Sequence, residues 1–221
     1  GRERSLKLIN ELDPKKRYIV VVAQEDGSIE DPKPEDLYSY GTLAQVLKVF
    51  DMPDNSKSAI VQGISRVKIL EYISHDPYFS AAVSSMEDKP IDDTLEVDAL
   101  ANNLRESFED LMKVAPNLTE EHSGMLKNIQ KPNRLTDRAI SVITISNQEK
   151  QEILEELDIK IRIEKALNLI SREIQRIKLG EEIQSEVHDE ITKTQREYYL
   201  REQMKAIKKE LGEDEGTVEI K

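Results

Sequence analysis

The 221-residue sequence contains no cysteine, which excludes disulfides, thiolate metal sites and a cysteine nucleophile and is compatible with a reducing cytoplasm. Tryptophan is also absent, and aromatic residues make up only 5%. No run approaches the ~18 apolar residues that a membrane-crossing helix requires. The most apolar short stretch is Tyr18 to Ala23. A basic block is missing as well: 32 Lys+Arg stand against 44 Asp+Glu, a formal net charge of −12. Such a chain repels phosphate backbones, which argues against nucleic-acid binding. None of the eight glycines opens a phosphate-cradling loop followed by Lys-Ser or Lys-Thr. His75, His122 and His188 are more than forty residues apart, without a second ligand at helical spacing, so a metal site is not expected. The carboxylates fall mostly in exposed helical pairs such as Glu155-Glu156 and Glu181-Glu182, not as an acid–base pair in a cleft. The reading is of a chain without catalytic, cofactor-binding or metal residues of its own. It opens on Gly1 rather than Met, which points to a processed or trimmed piece.

What is present changes character near residue 90. Before it, β-branched runs are separated by turn formers. Leu6, Leu8, Ile9 and Leu12 predict a short amphipathic helix, and Arg17 to Gln24 a buried strand. Asp26-Gly27 and Asp31-Pro32-Lys33-Pro34 form a loop. Gly41 to Met52 alternates, with Leu43, Val46 or Leu47, Val49 and Met52 filling one face after a slip that implies a bulge. Pro53 to Ser56 makes a hairpin connection. Two strands, Ser58 to Gln62 and Val67 to Ile73, flank Gly63, and Phe79 to Met86 forms a last one. Short antiparallel strands in series argue for a small barrel or sandwich.

After Pro90 the period becomes helical. Asp93 to Glu96 has capping-box spacing, followed by Val97, Leu100, Leu104, Phe108 and Leu111, with Pro116 as the stop. Leu118 to Gln130 is a weaker helix, Lys131-Pro132-Asn133 a turn, and Leu135 to Ile145 a short apolar helix. Ser146 to Glu149 is a second capping box, opening a helix through Leu157. Asp158 can cap a long helix with Ile163, Leu167, Ile170, Ile174 and Ile177 on one stripe. The stripe resumes past Gly180, the predicted kink or break, with Ile183, Val187, Ile191, Thr194 and Tyr198, then Met204, Ile207 and Leu211. A narrow apolar stripe on a charged rod calls for a partner helix.

One segment is specific. Thr194 to Gly212, with Tyr198-Tyr199-Leu200-Arg201-Glu202-Gln203-Met204 at its centre, resembles the helix that precedes the ATPase module in Lon proteases. Gly1-Arg2-Glu3-Arg4-Ser5, Asp36-Leu37-Tyr38 with Gly41-Thr42-Leu43-Ala44, Gln62 to Val67, and Gln151 to Glu155 resemble earlier parts of that family in the same order. The resemblance covers residues 1 to 212 and implies the N-terminal region of a bacterial-type Lon, an ATP-dependent serine protease that assembles as a homohexamer in the cytoplasm rather than the mitochondrial matrix. It implies an α+β fold: a small β-barrel domain of pseudouridine-synthase-associated (PUA-like) type over residues 1–90, lacking its first strand. A helical subdomain (91–157), a long helix or coiled-coil arm (158–212) and a flexible tail (213–221) follow. ATP, magnesium and the Ser–Lys dyad belong to parts of such a protein C-terminal to this chain.

The function implied is to hold unfolded or degron-bearing proteins and to organise the oligomer. Expected contact residues are Ile183, Val187, Ile191, Tyr198, Tyr199, Leu200 and Met204, since two adjacent tyrosines on a helix cannot both face one seam. Phe50, Met52, Tyr78 and Phe79 are conceivable contacts, but strand apolars are more often core. The alternatives are a coiled-coil scaffold or stand-alone adaptor bearing a PUA-like domain, and RNA binding, which the net charge opposes.

Overall fold

The computed structural model describes residues 3–12, 17–53 and 56–210. The Gly1-Arg2 start, Asp54 and Asn55 of the predicted turn, and the expected tail with Leu211 and Gly212 lie outside the described residues. In chain order come α1 (Glu3–Glu11), β1 (Tyr18–Val21), a single 3-10 turn (Pro34–Asp36), β2 (Tyr40–Asp51), β3 (Lys57–Ser74) and β4 (Ser80–Met86). Helices α2 (Thr94–Val114), α3 (Glu120–Lys127), α4 (Pro132–Val142), α5 (Asn147–Glu155) and α6 (Ile159–Glu210) follow.

The strands pair in sequence order and antiparallel throughout, with β1 and β4 as the edges. Two strand expectations are corrected. The run Arg17 to Gln24 is not a buried strand: β1 covers only its centre, at an edge, and Tyr18 and Val21 are exposed. Gly63 does not separate two strands either. β3 runs unbroken for 18 residues and absorbs the irregularity as a register shift beside Gly63. Gly41 is needed for close approach, because a Cβ there would meet the Val21 carbonyl oxygen at 2.6 Å.

The helices start where local chemistry satisfies their free N–H groups. Asp93 accepts from the Glu96 amide at 3.0 Å, and Ser146 and Glu149 exchange a reciprocal capping box. Asp158 accepts from Lys160 at the head of α6. Lys131-Pro132-Asn133 is not a turn: Pro132 opens α4, where its missing N–H is no loss and its fixed φ is already helical. Gly180 does not break α6, which continues through it.

Burial is concentrated in the helices. Leu104, Phe108 and Leu111 of α2, Leu135 and Ala139 of α4, and Ile163, Ala166 and Ile170 of α6 are almost inaccessible. Each large one contributes roughly 1.5–3 kcal/mol by leaving water. In the sheet, the fully buried hydrophobic side chains are Ala44, Val46 and Val67. The chain divides into two compact units, residues 1–173 and 174–221, so the first turns of α6 belong with the sheet and the shorter helices.

Candidate functional site

Within the first unit the sheet is tied to the helices by a polar clasp that local sequence spacing does not reveal. Arg66 of β3 donates from Nη2 to Asp137 of α4 at 2.5 Å and from Nε to the Leu154 carbonyl at 2.8 Å. Arg162 of α6 is completely buried; it pairs with Asp88 and donates to the Glu156 carbonyl at 2.7 Å. Its Nη1 makes no hydrogen bond to the described residues but lies 3.8 Å from Asp137. Asn133 also donates to Asp88, at 2.8 Å. Burial works to raise the Asp88 carboxyl, but hydrogen bonds from Arg162 and Asn133 and the charges of Arg162 and Arg66 outweigh it and hold the pKa below the usual value. Arg162 carried one sequence signal: it stands on the apolar face of α6, between Ile159 and Ala166, where a charge survives only with a partner.

The sheet's pairing contains four register shifts, and each skips one residue. The skipped residues are Leu47, Ile64, Leu70 and Ile73, which are 50%, 52%, 63% and 70% exposed. A bulge re-aims the side chain it leaves unpaired, and here all four are large aliphatics turned to solvent. Phe50 and Met52 correct the expectation that strand apolars fill the core, since both are exposed, Phe50 near the end of β2 opposite Ser58 and Met52 just past it; Ile60 and Val61 of β3 are exposed as well. Tyr78 and Phe79 are half-buried, and the Phe79 ring packs edge-on against Tyr72 and His75. A cavity of about 680 Å³ lies among α1, β1 and the start of β4. Tyr72 lines it, its hydroxyl buried without a hydrogen-bond partner among the described residues, and burial pushes that phenol up.

The predicted contact residues of the second unit lie on α6. Ile183, Val187, Ile191, Tyr198, Tyr199, Leu200 and Met204 are all half exposed or more. Of the stripe expected past Gly180, Met204 and Ile207 do not share a face with Ile183, Val187, Ile191 and Tyr198. At ~100° per residue, Ile183, Val187, Ile191 and Tyr198 fall within an arc of about 80°, whereas Leu200, Met204 and Ile207 group about 130° away. The seven residues from Ile191 to Tyr198 stay within the first group, whereas the six-residue step from Tyr198 to Met204 turns ~240° and carries the last group away. Tyr199 stands apart from both groups. Among the described residues no cluster of three or more His, Asp or Glu side chains is placed to hold a metal ion. No described helix is long and apolar enough to cross a membrane.

Solved structures share much of this fold. The N-terminal domain of a Mycobacterium avium complex Lon protease aligns over 69% of this chain and 90% of its own, with a TM-score of 0.50 at 20% identity. A Lon N-terminal domain protein from Xanthomonas campestris aligns over 76% of this chain and 85% of its own, with a TM-score of 0.53 at 17% identity. At such identities the likeness shows the fold. Sequence carries the relationship further. Residues 1–172 match the family model of the ATP-dependent protease La (LON) substrate-binding domain, and the chain belongs to that family. It is 42% identical over 218 residues to a Lon protease of Koribacter versatilis, covering 98% of this chain and 27% of that protein. The Lon protease of Dictyoglomus thermophilum is 38% identical over 221 residues, 28% of its length. The chain thus spans about a quarter of the length of these curated relatives.

Proposed function

We propose that this chain is the client-engaging and assembly-supporting part of an ATP-dependent Lon-type protease, with no catalysis of its own. The observation that carries the reading is the set of bulge-presented aliphatics, Leu47, Ile64, Leu70 and Ile73, on a domain whose family is described as substrate-binding. Unfolded proteins expose apolar side chains that such a surface buries without reading sequence. ATP, magnesium and the peptidase nucleophile are assigned to the rest of a full-length protein, which would act as a homohexamer in the cytoplasm. The two apolar groups on α6 are assigned to contacts with other subunits or with client. Neither a membrane nor nucleic acid is a partner of this region.

The test is binding of a chemically unfolded model protein to the 221-residue chain, with Ile64→Ser, Leu70→Ser and Ile73→Ser combined. Three half-exposed aliphatics completing their burial, at about 1 kcal/mol each, predict a loss of on the order of 100-fold. Unchanged affinity would refute the assignment. The coiled-coil scaffold remains a second reading, favoured by the exposed groups on α6. Absent client binding together with self-association that disappears on deleting residues 181–221 would select it.

A further inference from the structure

A cleft of about 860 Å³ opens in the first unit between the middle of β3 and helices α4 and α5. This is at the upper end of the ~300–1,000 Å³ usual for ligand sites. Its lining carries four cationic side chains, Arg66, Arg134, Arg138 and Lys150, against one carboxylate, Asp137. That excess of positive charge occurs in a chain of formal net charge −12. Arg66 and Asp137 neutralise each other in the clasp. The other three cations have no carboxylate partner among the described residues; Arg138 only touches the Met125 sulfur, at 3.1 Å. Of the acids of α5, Glu149 is engaged by Ser146 and Arg172 and Glu155 by Gln151, and Glu152 is exposed and not part of the lining. Apolar surface completes the lining, with the exposed bulge residue Ile64 and with Leu154.

We infer that this cleft binds acidic stretches of client polypeptide that also carry apolar side chains, an inference that rests on the client-engaging reading above. Carboxylates of the bound segment meet Arg134, Arg138 and Lys150, while its apolar side chains meet Ile64 and Leu154. The protein's overall acidity does not forbid this. At physiological ionic strength charges more than ~8 Å away are largely screened, so the local excess sets the potential that a bound segment feels. Elsewhere the acidic surface repels such a segment, which makes the cleft its favoured landing point.

The experiment measures fluorescence anisotropy of three labelled decapeptides of equal apolar content, carrying Glu, Gln or Lys at the polar positions, against the full 221-residue chain. The Glu peptide is expected to bind most tightly, and its affinity to fall with added salt. The combined variant Arg134→Gln, Arg138→Gln, Lys150→Gln is expected to weaken the Glu peptide about tenfold and to leave the Gln peptide within about twofold. Because these three side chains hold no ion pair among the described residues, the variant should keep the parent's urea midpoint. Charge reversal by Arg134→Glu and Lys150→Glu should turn the preference towards the Lys peptide. Equal binding of Glu and Gln peptides, or a Glu peptide indifferent to the triple variant, overturns this inference and leaves the client-engaging reading standing. Failure of all three peptides to bind overturns both. Binding of single-stranded RNA that the triple variant abolishes, without any preference for the Glu peptide, overturns it in favour of a nucleic-acid partner.

Discussion

Replacing Asp88 by Asn tests the clasp directly. The substitution keeps an oxygen that can accept from Asn133 and removes the charge facing Arg162, whose side chain is wholly buried. Leaving a buried charge without its partner costs about 3–5 kcal/mol. Two features place this case at the low end. Asp88 retains 23% of its side-chain exposure, so water reaches the site, and Asp137 remains 3.8 Å from the guanidinium. The expectation is about 3 kcal/mol. With an m-value of about 2.5 kcal/mol/M in urea, the midpoint should fall by roughly 1 M. Tyrosine fluorescence is the suitable probe, because tryptophan is absent and five of the seven tyrosines lie in the first unit. Adding Arg162→Met should recover part of the loss, since the orphaned charge is then gone while Asp137 keeps Arg66. A midpoint within 0.2 M of the parent for Asp88→Asn (about 0.5 kcal/mol at that m-value), or simple additivity in the double variant, would refute the clasp as a unit.

The same carboxylate sets an acid limit. Its folded pKa lies below the unfolded value of ~3.9, so its contribution is full above that pH and is lost as pH falls through the folded value. Glu149, lowered by hydrogen bonds from the Ser146 side chain and backbone and by Arg172, acts in the same direction. Urea midpoints should therefore be flat near neutrality and drop below about pH 4, whereas a rise on acidification would contradict both assignments. Gly41→Ala places a Cβ 2.6 Å from a backbone oxygen that cannot swing aside, and about 1–3 kcal/mol of destabilisation should appear in the same melts. Gly180→Ala meets nothing within 4 Å inside a helix and should stabilise α6 by about 0.5–1 kcal/mol. An unchanged or lower thermal midpoint of the helical circular dichroism signal would count against an unbroken helix there.

The sequence was readable where the physics is local. Asp93, Ser146 and Asp158 announce helix starts because a cap and the N–H it satisfies are two or three residues apart. Pro132 misled because proline ends one helix and begins the next with equal ease, and only the direction of the following chain decides. At Gly63 a bulge and a break between strands leave the same mark on an alternating pattern, so the continuity of β3 is not legible there. The apolar run around β1 implied burial on both faces, but burial depends on what lies beside a strand, and β1 is an edge. The clasp was invisible for a related reason: Arg66 and Asp137 are 71 residues apart, and Asp88 and Arg162 are 74 apart.

Exposure of aliphatics on this sheet is paired with two features that make it tolerable. The sheet buries few side chains of its own, so much of its attachment to the helical layer rests on directional polar contacts, with Arg66 and Gln151 bridging to carbonyls as well as charges. Polar anchoring leaves the remaining sheet surface free of the need to be core. That surface would ordinarily invite self-association, and a formal charge of −12 opposes it by mutual repulsion between copies. Both features fit a sheet that must keep apolar groups available without adhering to the sheet of another copy. They also explain why a cationic cleft would matter here: on an acidic molecule, a local excess of arginine and lysine attracts acidic segments that the rest of the surface repels, and it does so beside the exposed aliphatic of Ile64.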